Sequence, residues 1–331
     1  MSVKATPQMK ELLRRSGSAN PAESAAGMAE LTVALREPLR DGVMSGDITF
    51  GIFETEVLER GAVPEYPLSF LAPGTEKDYV AYTVPNHGYI PERHVEGDTV
   101  MVPTYDIANA TDWLIKYARD ARWNIVAKAL RVYEAGFVKK INDDAWHTIT
   151  AAGVDRNIVV YDSAAAAGQF TKRLVSLGKT VMRRNGGGNS TSMNRGKLTH
   201  LYVSPEGMED IRDWGVDQVD EVTRREIFVA EDGEINRIFG VNLVSLDELG
   251  EDQEYQLFYS NDLGGALASG DVELAVGLDL LNNDSFVMPI REELQTHEDP
   301  TLVRSRKNGV FGWMELGVAA LDGRRVLLFS F

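Results

Sequence analysis

Cysteine is absent from all 331 residues, which rules out disulfides and thiolate metal sites. No apolar run approaches the roughly 20 residues needed to cross a bilayer. The opening MSVKATPQMKELLRR has no hydrophobic signal core, so synthesis in the cytoplasm and no membrane partner are expected. Catalytic signatures are missing too. The histidines His87, His94, His147, His200 and His297 include no i, i+4 pair and no HExxH motif, and no serine sits in a GxSxG elbow. Asp143, Asp144 and His147 make one carboxylate–imidazole group, yet a histidine near a helix C-terminus is favoured by the dipole alone. His200, in LTHLYVS, is expected in the core or at a strand edge. Paired carboxylates such as Glu231–Asp232 and Glu251–Asp252 fall in polar turns, where water solvates both charges and general acid catalysis is poorly served. A protein without cofactor, metal or catalytic residues is expected.

Acid is what the chain has in excess, and it is unevenly placed. The formal net charge is -16. Residues 204–299 hold 25 Asp and Glu against 5 Lys and Arg, a net of -20, and the remainder carries 25 acids and 29 bases. The acidic stretch would repel nucleic acid, while the weakly basic remainder can lie against it. An ordinary solvated surface has the same composition.

Glycine is concentrated in RRNGGGNSTSMNRGKLTHLYVSP (Arg183–Pro205), which has the composition of a phosphate loop. A Walker loop requires Gly, four residues, then Gly-Lys-Ser/Thr. Here Leu198 follows Gly196-Lys197, and Thr191 stands where the first glycine belongs. The flanks are reversed as well, with a helix before the loop and a strand after it. Gly186-Gly187-Gly188 opens no helix, so a dinucleotide site is excluded. Repeated glycine here gives conformational freedom rather than anion contacts, and a mobile connection is expected.

The rest of the pattern sets out the organisation. Residues 1–20 read as a basic, weakly structured arm. Asn20 caps a helix opened by Pro21, with Glu23 at its positive end. Ala25, Met28, Leu31, Leu35 and Leu39 make its apolar face, and Gly42 begins its end. YVAYTV (79–84) and TVMVPTY (99–105) alternate with period two among Pro85, Gly88, Pro91 and Gly97, the pattern of an extended edge hairpin with little core of its own. Asn109–Ile149 then reads as one long amphipathic helix capped by Asn109 or Thr111. Its stripe is Leu114, Ala118, Ala121, Ile125, Ala129 and Val132, widened by Trp113, Tyr117, Leu130, Tyr133, Phe137 and Ile141. At 1.5 Å per residue a helix of about 35 residues is a strut of roughly 50 Å. A second helix is expected over 163–182, then a strand at LTHLYVS and a short helix opened by Ser204-Pro205. Further strands are expected at INRIFGVNLVSL, YQLFYSN, VELAVGL and GVAALDGRRVLLFSF.

Taken in this order, the chain resembles the major capsid proteins of tailed bacteriophages, the Hong Kong 97-type shell fold. Pro67–Thr104 occupies the place of that family's E-loop, and Asn109–Ile149 resembles its spine helix. Ser163–Trp214 is similar to the peripheral domain's helix, strand and Pro-initiated turn. INRIFGVNLVSL resembles the stretch before the axial domain, and RSRKNGVFGWMELGVAALDGRRVLLFS the C-terminal signature. The resemblance implies an α+β fold in five parts: an N-terminal arm and helix (1–63), the E-loop hairpin (64–106), a peripheral domain (107–240) with spine helix 109–149, an axial domain (241–303) and a C-terminal strand region (304–331).

The function so implied is structural. Copies assemble as hexamers and pentamers into an icosahedral shell around a double-stranded DNA genome, located in the virion capsid and built in the host cytoplasm. A portal, a separate scaffolding protein and decoration proteins are the implied partners, with non-specific contact to packaged DNA. Contacts between copies are expected at Tyr79, Val80, Tyr82, Val84, Val100, Val102 and Tyr105. DNA-facing bases are expected at Lys4, Lys10, Arg14 and Arg15 in the arm, and at Lys116, Arg119, Arg122, Lys128 and Arg131 on the helix. Lys77 is the only lysine of the hairpin and no partner pair can be assigned to it, so crosslinking between copies is not expected. An encapsulin-like compartment shell keeps the fold with a different cargo; an acidic hydrolase would be an unrelated alternative.

Overall fold

The computed structural model describes residues 7–46, 49–59, 61–67, 99–185, 196–214, 237–268, 270–281 and 285–331. Its elements in chain order begin with α1 (Pro7–Ser16), α2 (Pro21–Gly46), β1 (Glu54–Val57), β2 (Glu65–Pro67), β3 (Thr99–Met101) and β4 (Tyr105–Leu114). A short α3 (Ile115–Arg119) and the long α4 (Trp123–Asp155) follow, then β5 (Val159–Val160), α5 (Lys172–Asn185), β6 (His200–Val203) and α6 (Pro205–Asp213). The remainder is β7 (Arg237–Ile238), β8 (Val241–Ser245), α7 (Glu254–Leu257), β9 (Leu274–Leu278), β10 (Phe286–Glu298), β11 (Lys307–Leu316), β12 (Ala319–Ala320) and β13 (Val326–Ser330). The chain forms two compact units, one of Met1–Glu65, Met101–Ala145 and Val287–Ala319, the other of Tyr66–Val100, Trp146–Phe286 and Ala320–Phe331. Neither unit has a boundary at residue 240, where the sequence suggested one.

The first unit is built on a five-stranded sheet in the order β1-β10-β11-β4, with β12 also on β10. β4 and β11 pair antiparallel along their whole length, from Tyr105 opposite Leu316 to Leu114 opposite Lys307. Alternation along β11 buries Val310, Gly312, Met314 and Leu316, while Phe311, Trp313 and Glu315 are only half-buried. α4 contributes Val126, Leu130, Tyr133, Phe137 and Ile141 to the core at three- and four-residue spacing, all at most 1% exposed. Its contact with β4 is polar as well: Asn109 Nδ2 donates to the Tyr133 carbonyl at 3.0 Å. Burial pushes the Tyr133 hydroxyl up to about 12.

Several sequence expectations change here. Residues 7–16 of the arm are a helix, not a weakly structured segment, with Leu13 wholly buried. Its close approach to α2 depends on Gly27, where a Cβ would lie 2.7 Å from the Arg15 and Ser16 backbone. Met28, Leu31, Leu35 and Leu39 are buried as expected, but Ala25 is exposed and α2 continues past Gly42 to Gly46. Asn109–Leu114 is a strand rather than the first turns of the long helix. Ala121, at a φ of 51°, lies in the turn between α3 and α4, so the helix is Trp123–Asp155. It keeps the expected length, with 33 residues. On α4 the face is reversed: Ile125 is 37% and Val132 64% exposed, while Leu130, Tyr133, Phe137 and Ile141, expected only to widen the stripe, form the core.

The second unit holds a six-stranded sheet in the order β5-β13-β9-β6-β8-β7. One face carries Leu201, Val203, Leu243, Ala275, Leu327 and Phe329, covered by Leu174, Val175 and Met182 of α5 and by Met208 and Ile211 of α6. The alternate residues face the other way, where Tyr202 meets Trp146 of α4 edge-on at 4.7 Å. α6 starts as its sequence dictates: Pro205 opens it and Ser204 Oγ accepts from the Gly207 N–H at 3.1 Å. β7 and β8 form a hairpin across Phe239 and Gly240, both at positive φ, the turn that matches strand twist. YQLFYSN is helical, α7 running into a wider turn at Phe258–Asp262, and α5 begins at Lys172 rather than near 163. β8 and β9, expected in an axial segment, lie in one sheet with β6 from the expected peripheral segment.

Candidate assembly surface

The polar groups that resembled chemistry are held by neighbours. Asp143 pairs with Lys139 at 3.3 Å, and Asp144 with Lys140 at 2.7 Å and the Tyr105 hydroxyl at 2.9 Å. Burial, then the hydrogen bond and charge of Asp144, push the Tyr105 hydroxyl above its usual range. His147 stacks on Phe258 with ring centroids 3.9 Å apart. His200 is half-buried between Thr199 and Asn242, each at 3.1 Å, and its burial lowers its basicity. Among the described residues, no three His, Asp or Glu form a group able to hold a metal. Among them too, no helix is long and apolar enough to cross a membrane.

Residues 186–195 lie outside the described residues, but the loop's end at Gly196 and Lys197 corrects one expectation. Both N–H groups donate to Oδ2 of Asp279, at 2.8 and 3.1 Å, while Leu281 N–H donates to Oδ1 at 3.2 Å. An anion is bound after all, and it is an internal carboxylate with no exposed surface. The sequence carried only a weak sign of it, an aspartate directly after the apolar run VELAVGL.

A second buried carboxylate escaped the sequence analysis. Glu273 is 6% exposed and accepts a short hydrogen bond from Ser204 Oγ, the same hydroxyl that caps α6. Burial raises its pKa, the Ser204 bond opposes the rise, and Glu206, Asp210 and Glu251 add to it. The folded chain therefore holds a proton at pH values where the unfolded chain has lost it. Stability from this group is fully present below the unfolded pKa and falls as pH rises through the folded one. Glu273→Gln is expected to raise the melting temperature at neutral pH and flatten its decline from acid to neutral pH. Thermal melts in a pH series check this; an unchanged slope would show that Glu273 does not titrate in that window.

The outer surfaces are more informative than any cleft. On the first unit, Ile125, Ala129 and Val132 line the solvent side of α4, one above another at four- and three-residue spacing. On the second, α5 exposes Lys172, Lys179 and Arg183 along one stripe, and α6 exposes Glu206, Glu209 and Asp213 along another. Exposed Glu251 and Asp252 continue the acidic surface.

Of the expected contact residues, Tyr79, Val80, Tyr82 and Val84 lie outside the described residues, as does Lys77. Val100 is 37% exposed on β3 and Tyr105 37% exposed on β4, so both present surface. Val102 does not: it is 1% exposed, and its N–H donates to the Pro64 carbonyl at 3.0 Å within the same chain. Among the expected DNA-facing bases, Lys4 lies outside the described residues, while Lys10 and Arg14 are exposed on α1. Arg15 is engaged with Glu30 at 2.7 Å. Lys116 and Arg119 lie on α3, and Arg122 follows it beside Asp120 at 3.6 Å, so these three precede the long helix. Lys128 and Arg131 are exposed on α4 itself.

The architecture matches solved capsid structures. The capsid chain of cyanophage P-SCSP1u superposes with a TM-score of 0.55 over 86% of this chain and 88% of that one, at 10% identity. A chain of Microbacterium phage Oxtober96 gives 0.54 over 83% and 84%, at 10% identity. The mature capsid of bacteriophage PhiM1 gives 0.52 over 86% of each chain, at 12% identity. No protein-family model and no curated protein sequence matches the chain. The fold is therefore that of tailed-phage capsid chains, the Hong Kong 97-type fold expected from the order of elements.

Proposed function

We propose that this chain is the major capsid protein of a tailed bacteriophage, a structural protein rather than an enzyme, whose copies form the virion shell. The observation that carries the reading is the two-way match of architecture, which covers more than four fifths of this chain and of the capsid chains alike. An apolar stripe on the solvent side of the long helix supports it, because a shell subunit must leave surface for its neighbours. Hexamers and pentamers close the shell around double-stranded DNA, with portal, scaffolding and decoration proteins as further partners. Val100 on β3 and Tyr105 on β4 are proposed to meet a neighbouring copy, and Lys10 and Arg14 to face the genome. Sedimentation velocity over a concentration series tests this reading. A species far heavier than the 36.6 kDa chain is expected above a threshold concentration. A single monomer boundary throughout would overturn it.

A further inference from the structure

The end of α2 is a weak piece of helix. Pro38 lies inside it, where the proline ring supplies no N–H to the Ala34 carbonyl and crowds the preceding turn. Residues 39–46 then include Gly42 and Gly46, both poor helix formers. Gly42 faces α4: a Cβ there would lie 2.7 Å from Glu134 Oε1. Glu134 is 9% exposed, and its Oε1 has no hydrogen-bond partner among the described residues. At about 100° per residue, Arg36, Arg40 and Val43 lie well round the helix from Gly42, on the side of β10. A cleft of about 280 Å³ separates α2 from β10 there, lined by Arg40, Val43, Ile290, Glu293, Leu294 and Met314. The bonds that cross it come from half-exposed or exposed side chains, Arg40 on Glu293 at 3.1 Å and Arg36 on Gln295, and such bonds give way easily.

We propose that residues 39–46 form a strap with two positions, pivoting at Pro38 between the Glu134 carboxylate and the cleft beside β10. In the position described above, the strap covers Glu134 and leaves the cleft unfilled, and both defects cost free energy. In the other position it settles into the cleft and lets water reach the carboxylate, at the loss of the close Gly42 contact. The charge on Glu134 selects between them. Burial favours its neutral form, against the pull of the chain's α-amino charge and of Arg131. Of the charges beside Gly42 on α2, Arg40 and Asp41 pair with each other at 3.6 Å. A neutral Glu134 holds the strap where it is, and an ionised one favours the cleft. In a shell, such a strap lets one chain present β10 and the end of α2 differently to unlike neighbours. That use rests on the shell-protein reading; the strap itself does not.

Coupling between the two sides of α2 tests the proposal. The titration of Glu134 is followed by carboxyl-carbon NMR on the chain below its assembly threshold, and its signal is assigned by its loss in Glu134→Gln. Leu294→Phe fills the cleft, across α2 from the carboxylate. With the second position blocked, the Glu134 midpoint is expected to rise by about half a pH unit, a proton affinity about threefold higher. Hydrogen exchange gives an independent reading. Glu134→Met has no charge to release, so amides 39–46 are expected to exchange about tenfold more slowly at neutral pH, with amides 22–35 unchanged. A Glu134 midpoint that ignores the cleft, or exchange at 39–46 that ignores Glu134, overturns the strap and leaves the shell reading standing. If Leu294→Phe does not fold, the exchange result decides alone. Monomer at every concentration, with the coupling intact, would overturn the shell reading and leave the strap.

Discussion

Replacing Val132 with aspartate is expected to abolish assembly and to leave the isolated chain folded. Val132 is 64% exposed on the solvent side of α4, so its own subunit gains little from it. Ile125 lies two turns earlier on the same side, with Ala129 between them. If this stripe is buried by a neighbouring copy, an aspartate there is buried unpaired at every such contact. That costs several kcal/mol per contact, or about a hundredfold or more in threshold concentration. Thermal melts of the variant should overlay those of the original chain, while sedimentation should show monomer only. Shells forming at the original threshold would show that this face is solvent in the assembly.

The opposite result is expected five residues further along the same helix. Phe137 is wholly buried and meets the ring of Tyr133 edge-on at 5.1 Å. Phe137→Ala removes that contact and leaves a cavity, at a cost of about 3–5 kcal/mol. A loss of that size is a large part of a typical domain's stability, so chemical denaturation should show a much lower midpoint. Assembly then fails because the subunit is unfolded. The two substitutions together assign the faces of α4: Val132→Asp moves assembly and not stability, and Phe137→Ala moves stability first. Equal stability loss from both would mean that Val132 packs within its own subunit.

That assignment is where the sequence misled most clearly. The aliphatic positions Ile125, Ala129 and Val132 have regular helical spacing, but the core took the larger residues Leu130, Tyr133, Phe137 and Trp146. Periodicity reports that a helix has faces; which one is buried depends on the sheet it packs against. The start of the helix was misplaced for a related reason. Asn109, Thr111 and Asp112 are good helix-opening residues, yet ten residues from Tyr105 pair with β11 and the ladder overrides the local preference. YQLFYSN erred in the other direction, its aromatic residues suggesting a strand where Tyr255 and Tyr259 are buried in a helix.

Local signals with a defined mechanism were more legible. Ser204-Pro205 opened a helix, LTHLYVS and VELAVGL formed strands, and the length of the long helix held. The order of these elements was sufficient to identify the fold. The division into units was not legible, because each unit is assembled from three separated stretches of chain. Nor were the internal partners of Asp279 and Glu273, which lie 83 and 69 residues away in sequence. At the end of the glycine loop, the Gly196 and Lys197 N–H groups hold a carboxylate supplied by the protein itself, a contact that the reading of the loop as free of anion contacts did not anticipate.

The most direct test is electron microscopy of the purified chain, held above the concentration at which heavy species form. Closed shells of uniform diameter, with five- and six-membered rings on their surface, are the expected result. Single chains or amorphous aggregate at every concentration and salt, from protein whose thermal melt is cooperative, would contradict the capsid reading.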